Sequence, residues 1–314
     1  MNHFSAWPPL EQMANSTEGL EDLPKISIVT PNYNYESTIE QTLASVVLQG
    51  YPNLEYIVID GGSRDRSLEI IETYCEQLAY CQSQPDEGQY FAINQGFQEA
   101  TGEIMAWLNS DDIYLPWTLY VVAEIFQNFP EIEWIVGRPT QIQNGVIHQV
   151  GRLTCYPQQF IASGLFRGDR LGWIQQESVF WRRSLWEKAG PLRTDLKYAA
   201  DFELWTRFAE YTELVSVSSI LGGFSVRPSN RHRENLNSYF QELDQVVTQW
   251  SQQRQHNYSR IWKALQDYQR WKPYTGIRRL VRKGLRLEQY LGKIAEWNCD
   301  QNNYELKLIP YVQH

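Results

Sequence analysis

From Lys25 to about Asp112 the sequence alternates short β-branched runs with segments whose apolar residues recur at helical spacing, and each main run stops at a polar cluster. Ile26-Ser27-Ile28-Val29-Thr30 is halted by Pro31, and Leu54 to Ile59 ends at Asp60-Gly61-Gly62. Between them Ile39, Leu43, Val46 and Val47 mark one face of a helix that Gly50 closes. The spacing predicts a helix over 67–78, a strand over 80–83, a helix over 89–100 before Gly102, and a strand over 104–108 running into Asn109-Ser110-Asp111-Asp112. Such alternation calls for βαβ units, so the expected class is α/β with a Rossmann-like, mainly parallel sheet flanked by helices.

After a helix over 116–128 the pattern changes. Strands are expected over 134–136 and 140–143, with Asn144-Gly145 as a hairpin turn, and again over 176–181 and 214–217, which makes the second half mixed α+β. Beyond Arg233 the text is polar and helical in period, an extension rather than more sheet. The resulting division is a leader arm over 1–24, a main α/β domain over 25–232 and a helical C-terminal extension over 233–314.

A net charge of −9 argues against nucleic-acid binding, which depends on Lys and Arg neutralising phosphates. The charge is uneven: Lys272, Arg278, Arg279, Arg282, Lys283, Arg286 and Lys293 stand against the single acid Glu288. With Ile277, Leu280, Val281, Leu287, Leu291 and Ile294 at helical spacing, the stretch 277–294 reads in two ways. One is a basic amphipathic helix in peripheral contact with an anionic membrane; the other is a helix docked on the acidic body of the protein. The N-terminal residues hold several acids and no apolar core of a signal peptide, and no apolar run reaches the length of a membrane span. Cys75, Cys81, Cys155 and Cys299 lack zinc spacing and disulfide density, so a cytoplasmic protein, peripheral at most at the inner face of the membrane, is expected.

Three polar clusters fall at the carboxyl ends of the expected strands: Thr30-Pro31-Asn32-Tyr33, Asp60-Gly61-Gly62-Ser63 and Asn109-Ser110-Asp111-Asp112. Ligands of open α/β sheets bind at that edge, where strand order reverses. Taken singly, each cluster also reads as a turn or a helix cap. Adjacent carboxylates repel unless a cation sits with them, and Mg²⁺ or Mn²⁺ on one or two carboxylates completes its shell with phosphate and water. A P-loop, a GxSxG elbow and a dinucleotide glycine fingerprint are all missing, and the five His are scattered, which sets aside NTPases, dehydrogenases, triads and zinc hydrolases.

The ordered segments Ile28-Val29-Thr30-Pro31-Asn32-Tyr33-Asn34, Asp60-Gly61-Gly62-Ser63-Arg64-Asp65 and Asn109-Ser110-Asp111-Asp112 resemble the motifs of family 2 glycosyltransferases with the GT-A fold. Ser83-Gln84-Pro85-Asp86-Glu87-Gly88-Gln89-Tyr90, with Asn94 and Gly96, is similar to a signature of the branch that builds bacterial surface polysaccharides. The resemblance covers about Lys25 to Pro228 and implies an inverting, metal-dependent transfer from a nucleotide diphosphate sugar, a UDP-sugar first, to an acceptor hydroxyl. The acceptor it implies is a saccharide or lipid-linked saccharide of cell-surface polysaccharide or glycolipid synthesis.

By the same resemblance Thr30, Pro31 and Tyr33 belong to the donor site, with Pro31 and Tyr33 flanking the nucleobase and Asp60 accepting from uracil. Asp111 would face the ribose or donor sugar, Asp112 would bind the metal, and Asp86 and Asn94 would line the donor pocket. Ala199-Ala200-Asp201-Phe202-Glu203-Leu204-Trp205 is similar to the segment whose first Asp is the catalytic base, which makes Asp201 the base and a helix cap its ordinary alternative. Gly222-Gly223-Phe224-Ser225-Val226-Arg227-Pro228 departs from its counterpart by Ser and Arg in place of Arg and His, so Arg227 is expected on the diphosphate. Gln84, Phe91 and Gln95 also depart from the signature and leave the sugar open. Gln175-Gln176-Glu177 and the Trp-rich stretch 173–186 border the acceptor or form plain core; with 12 Trp and 19 Tyr in the chain, both uses are open. A sugar nucleotidyltransferase and a non-catalytic nucleotide-sugar-binding module are the rival functions; the second would keep Asp60 and dispense with Asp201.

Overall fold

The computed structural model describes residues 22–143, 145–226, 236–254, 258–271 and 283–311. Its first half runs β1 (Ile26–Asn32), α1 (Ile39–Val47), β2 (Leu54–Asp60), α2 (Ser67–Glu72), β3 (Tyr80–Ser83), α3 (Gln89–Glu99), β4 (Ile104–Trp107), β5 (Ile113–Tyr114) and α4 (Thr118–Asn128). It continues with β6 (Trp134–Val136), β7 (Thr140–Gln143), β8 (Val146–Val150), α5 (Gln158–Ala162), β9 (Val179–Arg182), α6 (Arg183–Ala189), α7 (Ala200–Tyr211), β10 (Val215–Val217) and β11 (Gly222–Ser225). Helices α8 (Leu236–Arg254) and α9 (Tyr258–Trp271) then lead to β12 (Leu291–Asn298) and β13 (Asn303–Pro310).

Nine strands form one sheet in the order β13-β12-β10-β6-β9-β4-β1-β2-β3. β1 is buried along its whole length and pairs in parallel with β2 on one side and β4 on the other. A strand covered on both faces and both edges selects the β-branched run Ile26-Ser27-Ile28-Val29-Thr30. The chain moves outward from β1 through β2 to β3 and then returns to β4 across β1, so strand order reverses at β1. Asn32 lies abreast of Asp60 in the β1–β2 register, and Val29 abreast of Trp107 in the β1–β4 register. The three polar clusters therefore leave the same edge of the sheet. Helix α3 lies close on that sheet because it carries glycine at the crossing: a Cβ on Gly96 would come within 2.5 Å of a Val29 methyl.

A smaller sheet, β5-β11-β7-β8, stands beside the main one, and β7 and β8 form the hairpin that Asn144-Gly145 announces. β11 pairs antiparallel with β5, directly after the Asp111-Asp112 cluster, and this pairing brings the 222–225 segment to the sheet edge. A Cβ on Gly222 would lie 2.0 Å from the Glu177 carbonyl oxygen, so glycine is what lets the two segments touch.

The tryptophans divide between the two uses left open by the sequence. Trp107, Trp134 and Trp181 are fully buried, and Trp107 stacks on Trp205 with ring centroids 5.6 Å apart. Trp181 and Trp186 are therefore core, whereas Trp173 faces the cleft described below.

The last third corrects the expected all-helical extension. α8 and α9 are helices, but Leu291–Asn298 is a strand paired with β10 in parallel and with β13 in antiparallel. Leu291 and Ile294 thus cannot share a face of an amphipathic helix, and Lys293 pairs with Glu213 at 3.4 Å. Local spacing imitates a helix there, but two neighbouring strands satisfy the backbone groups and bury Ile294, which outweighs it. The part of the expected helix over 277–282 lies outside the described residues. Of the expected leader, Asp22 to Pro24 are anchored by hydrogen bonds from Gln127, Asn53 and Tyr51 to their carbonyls. Among the described residues no helix is long and apolar enough to cross a membrane.

Candidate active site

An open cleft of about 1330 Å³ runs along the carboxyl edge of β1, β2 and β4. Pro31 and Tyr33 after β1, Gly61, Gly62 and Arg64 after β2, and Asp86 before α3 form one end. Asp111, Asp112 and Glu177 lie on its walls, and Asp201, at the start of α7, completes the lining with Trp173 and Tyr239. Of the expected site residues Pro31, Tyr33, Asp86, Asp111, Asp112 and Asp201 thus share one cavity. Arg227 lies outside the described residues.

Three others sit behind the wall. Thr30 is fully buried and bonds its hydroxyl to Tyr56 at 3.0 Å. Asn94 clamps the backbone of Leu192, donating to its carbonyl at 2.8 Å and accepting from its N–H at 3.0 Å. Asp60, expected at the uracil ring, has no exposed surface and is bonded within the protein. Its Oδ1 accepts from Asn32 Nδ2 at 2.7 Å and Ser63 Oγ at 2.5 Å, and its Oδ2 from Gly62 N, Ser63 N and Ser83 Oγ. Burial alone would raise the Asp60 carboxyl; the Ser63, Ser83 and Asn32 donors outweigh it and hold the group below its usual range. Asp60 therefore shapes the loop that carries Gly61, Gly62 and Arg64.

Asp112, expected as the metal ligand, is 1% exposed. Its Oδ1 accepts from Ser225 N at 2.9 Å and its Oδ2 faces Asn109 Nδ2 at 3.4 Å, so the carboxylate joins the Asn109–Asp112 loop to β11. Asp111 is half-buried on the cleft wall. Burial, then the charges of Asp111 and Glu177, push the Asp112 carboxyl well up, and Glu177 is raised by burial and by Asp111 and Asp201. A cation among these acids would relieve that repulsion, and an all-oxygen set suits Mg²⁺ or Mn²⁺. Among the described residues no three His, Cys, Asp or Glu side chains are grouped to hold a metal by themselves. An ion held here would need further ligands from outside these side chains.

Sequence reasoning missed how the cleft floor is tied together. Gln89 donates to Asn109 Oδ1 at 2.7 Å, Asn109 donates to Gln176 Oε1 at 3.2 Å, and Gln176 donates to the Trp107 carbonyl at 2.6 Å. These amides bridge α3, the loop after β4 and the turn before β9. Tyr239 and Trp173, with ring centroids 5.2 Å apart, were also missed as a pair, because nothing in a polar helical stretch marks one tyrosine as facing a cleft.

Asp201 is the acid on the opposite wall. Its Oδ1 is buried and has no hydrogen-bond partner within the protein. Burial raises its pKa to about 6, against backbone N–H groups at the helix start that lower it, and Glu242 adds to the rise. Glu203, the neighbouring acid, points away and is held by Arg207 at 2.8 Å.

Residues 27–181 match the sequence profile of Glycosyl transferase family 2. An uncharacterised glycosyltransferase of Nostoc sp. is 36% identical over 107 residues, 33% of this chain and 33% of that protein. An uncharacterised glycosyltransferase of Mycobacterium tuberculosis is 29% identical over 213 residues, 67% of this chain and 79% of the relative. Residues 1–349 of Staphylococcus aureus TarS in complex with UDP-GlcNAc superpose with a TM-score of 0.57 at 18% identity, over 71% of this chain and 66% of that one. The mannosyltransferase PcManGT of Pyrobaculum calidifontis, in complex with GDP-Man and Mn²⁺, gives 0.53 at 19% identity over 72% and 66%. At such identities the structural likeness carries the fold, GT-A, and the sequence matches carry the kinship. Residues 27–181 thus form a family 2 glycosyltransferase domain.

Proposed function

We propose that the protein transfers a sugar, with inversion, from a UDP-sugar to a hydroxyl of a saccharide or lipid-linked saccharide in cell-surface polysaccharide or glycolipid assembly. One observation supports the reading: Asp201 lines the same cleft as Pro31 and Tyr33, and its carboxylate keeps a buried oxygen without a hydrogen-bond partner in the protein. A non-catalytic binding module has no use for an acid held in that state.

The acceptor hydroxyl gives its proton to Asp201 as its oxygen attacks the anomeric carbon, and the bond from that carbon to the diphosphate breaks with the electron pair leaving on the nucleotide. A positioned carboxylate contributes about 10²–10⁴-fold to such a step. A pKa of about 6 leaves Asp201 ionised at neutral pH yet basic enough to take the proton. Pro31 and Tyr33 receive the nucleobase, and Arg64 offers a cation on the same wall. Asp111 is the residue that would hold a divalent cation, with Asp112 fixing its loop from behind; when bound, such an ion stabilises charge on the departing diphosphate.

The test is a donor screen that follows nucleotide diphosphate release, with UDP-induced thermal shift measured with and without Mn²⁺. Release from a UDP-sugar that Asp201→Asn abolishes supports the proposal. Indifference to every nucleotide defeats it.

A further inference from the structure

Helix α8 lies beyond the segment that matches the family profile, yet it touches the catalytic wall at its most sensitive point. Glu242 on α8 accepts three consecutive backbone N–H groups: Lys197 at 2.9 Å through Oε1, and Tyr198 at 2.8 Å and Ala199 at 3.0 Å through Oε2. α7 begins at the next residue, and Asp201 follows it. A carboxylate that accepts several N–H groups makes charge-assisted bonds, about twice as strong as neutral ones.

The helix is itself held against the body of the protein. Arg167, 4% exposed, pairs with Asp244 at 2.8 Å, Arg193 donates to Gln249 at 3.0 Å, and Phe202 of α7 stacks on Trp250 with centroids 5.8 Å apart. Tyr239, about one turn before Glu242, lines the cleft.

We infer that Glu242 is a positioning residue: it fixes the backbone of residues 197–199, and through it the direction in which the Asp201 carboxylate enters the cleft. The C-terminal helix therefore sets the aim of the base. The inference rests on Asp201 as the base of the proposed reaction. An error of the order of 1 Å in such a group lowers turnover by as much as about 100-fold without a large effect on donor binding.

Glu242 also acts through its charge. Among the described residues, the ionisable groups around Asp201 are Tyr90 on α3, Tyr239 and Glu242 on α8, and Glu177 on the turn before β9, with Arg167 near Tyr239. Of the acids on α8, Glu242 is the one that raises Asp201, so its removal moves the acid limb of activity to lower pH.

The experiment compares the full chain with Glu242→Gln and Glu242→Asp. It reads kcat, the donor KM, the pH profile of kcat, and hydrogen exchange at the amides of residues 197–199. For Glu242→Gln we expect kcat to fall about 10- to 100-fold, donor KM to stay within about twofold, the acid limb to move down in pH, and the three amides to exchange faster. Glu242→Asp keeps the charge, so its acid limb stays in place while kcat falls and exchange rises. Wild-type kcat with an unmoved pH profile and unchanged exchange in Glu242→Gln overturns the inference; if that variant fails to fold, wild-type kcat and exchange in Glu242→Asp do so. Activity surviving in Asp201→Asn would instead remove the base itself, and an inactive Asp201→Asn beside an unaffected Glu242→Gln removes only the role of Glu242.

Discussion

Replacing Asp201 by Asn should make the protein more stable and inactive at once, and the sign of the first effect depends on pH. Burial raises the Asp201 carboxyl from 3.8 to about 6. A group whose folded pKa lies above its unfolded one destabilises the fold where both states are ionised. That cost is absent below about pH 4 and complete above the folded value. A shift of about two units corresponds to about 3 kcal/mol at pH 8. Asn is nearly isosteric, carries no charge, and can still accept from the N–H groups at the start of α7. Asp201→Asn should therefore melt several degrees above the parent at pH 8, given about 2–4 °C per kcal/mol for a chain of this size, with the gain shrinking through pH 6 and gone near pH 4. Sugar transfer should fall by at least about 100-fold over the whole range. Thermal melts at pH 4, 6 and 8, run beside initial-rate assays, measure both. A variant destabilised by the same amount at every pH would refute the electrostatic account, and one with intact turnover would remove Asp201 from the chemistry.

Three further outcomes follow from the same structure. Glu55 is buried, which would raise its carboxyl, but bonds from Lys25, Ser27 and Thr101 bring it down to about 2. Its contribution is present above about pH 4.5 and lost as pH falls toward 2, so urea midpoints of Glu55→Gln and the parent should differ at pH 7 and converge as pH approaches 2. Gly96→Ala drives a methyl into Val29 at the α3–β1 crossing and should cost about 1–3 kcal/mol by chemical denaturation; a neutral result would mean that the helix can lift off the sheet freely. Asp111→Asn should erase any Mn²⁺-dependent part of the UDP thermal shift while leaving the metal-free shift in place, and an unchanged Mn²⁺ increment would take the ion away from Asp111.

The first half of the fold was readable because β1, β2 and β4 are buried on both faces, so their β-branched runs could not be confused with the amphipathic segments between them. The site was readable to the level of its loops but not of each carboxylate. Whether an acid at a strand end faces a ligand or its own loop depends on how many donors the loop turns inward. At Asp60 three do so, joined by Asn32 and Ser83 from the flanking strands, and at Asp112 one donor is Ser225, far away in sequence. Pairing across that distance leaves no local signal. The hairpin β12–β13 was hidden for a related reason: the helical spacing of Leu287, Leu291 and Ile294 is real, and only the presence of β10 decides against it. Nothing in the sequence marks Glu242, because its three partners are main-chain groups that no side-chain pattern records.

The pairing of β10 with β12 also has a bearing on how the molecule is made. As the polypeptide leaves the ribosome, β10 is synthesised with one edge bare, and it stays so until both helices and the terminal hairpin have followed. An open strand edge is a template for another chain. Maturation of the sheet is therefore a late event, and the nascent protein passes through an interval in which sticking to its neighbours competes with completion.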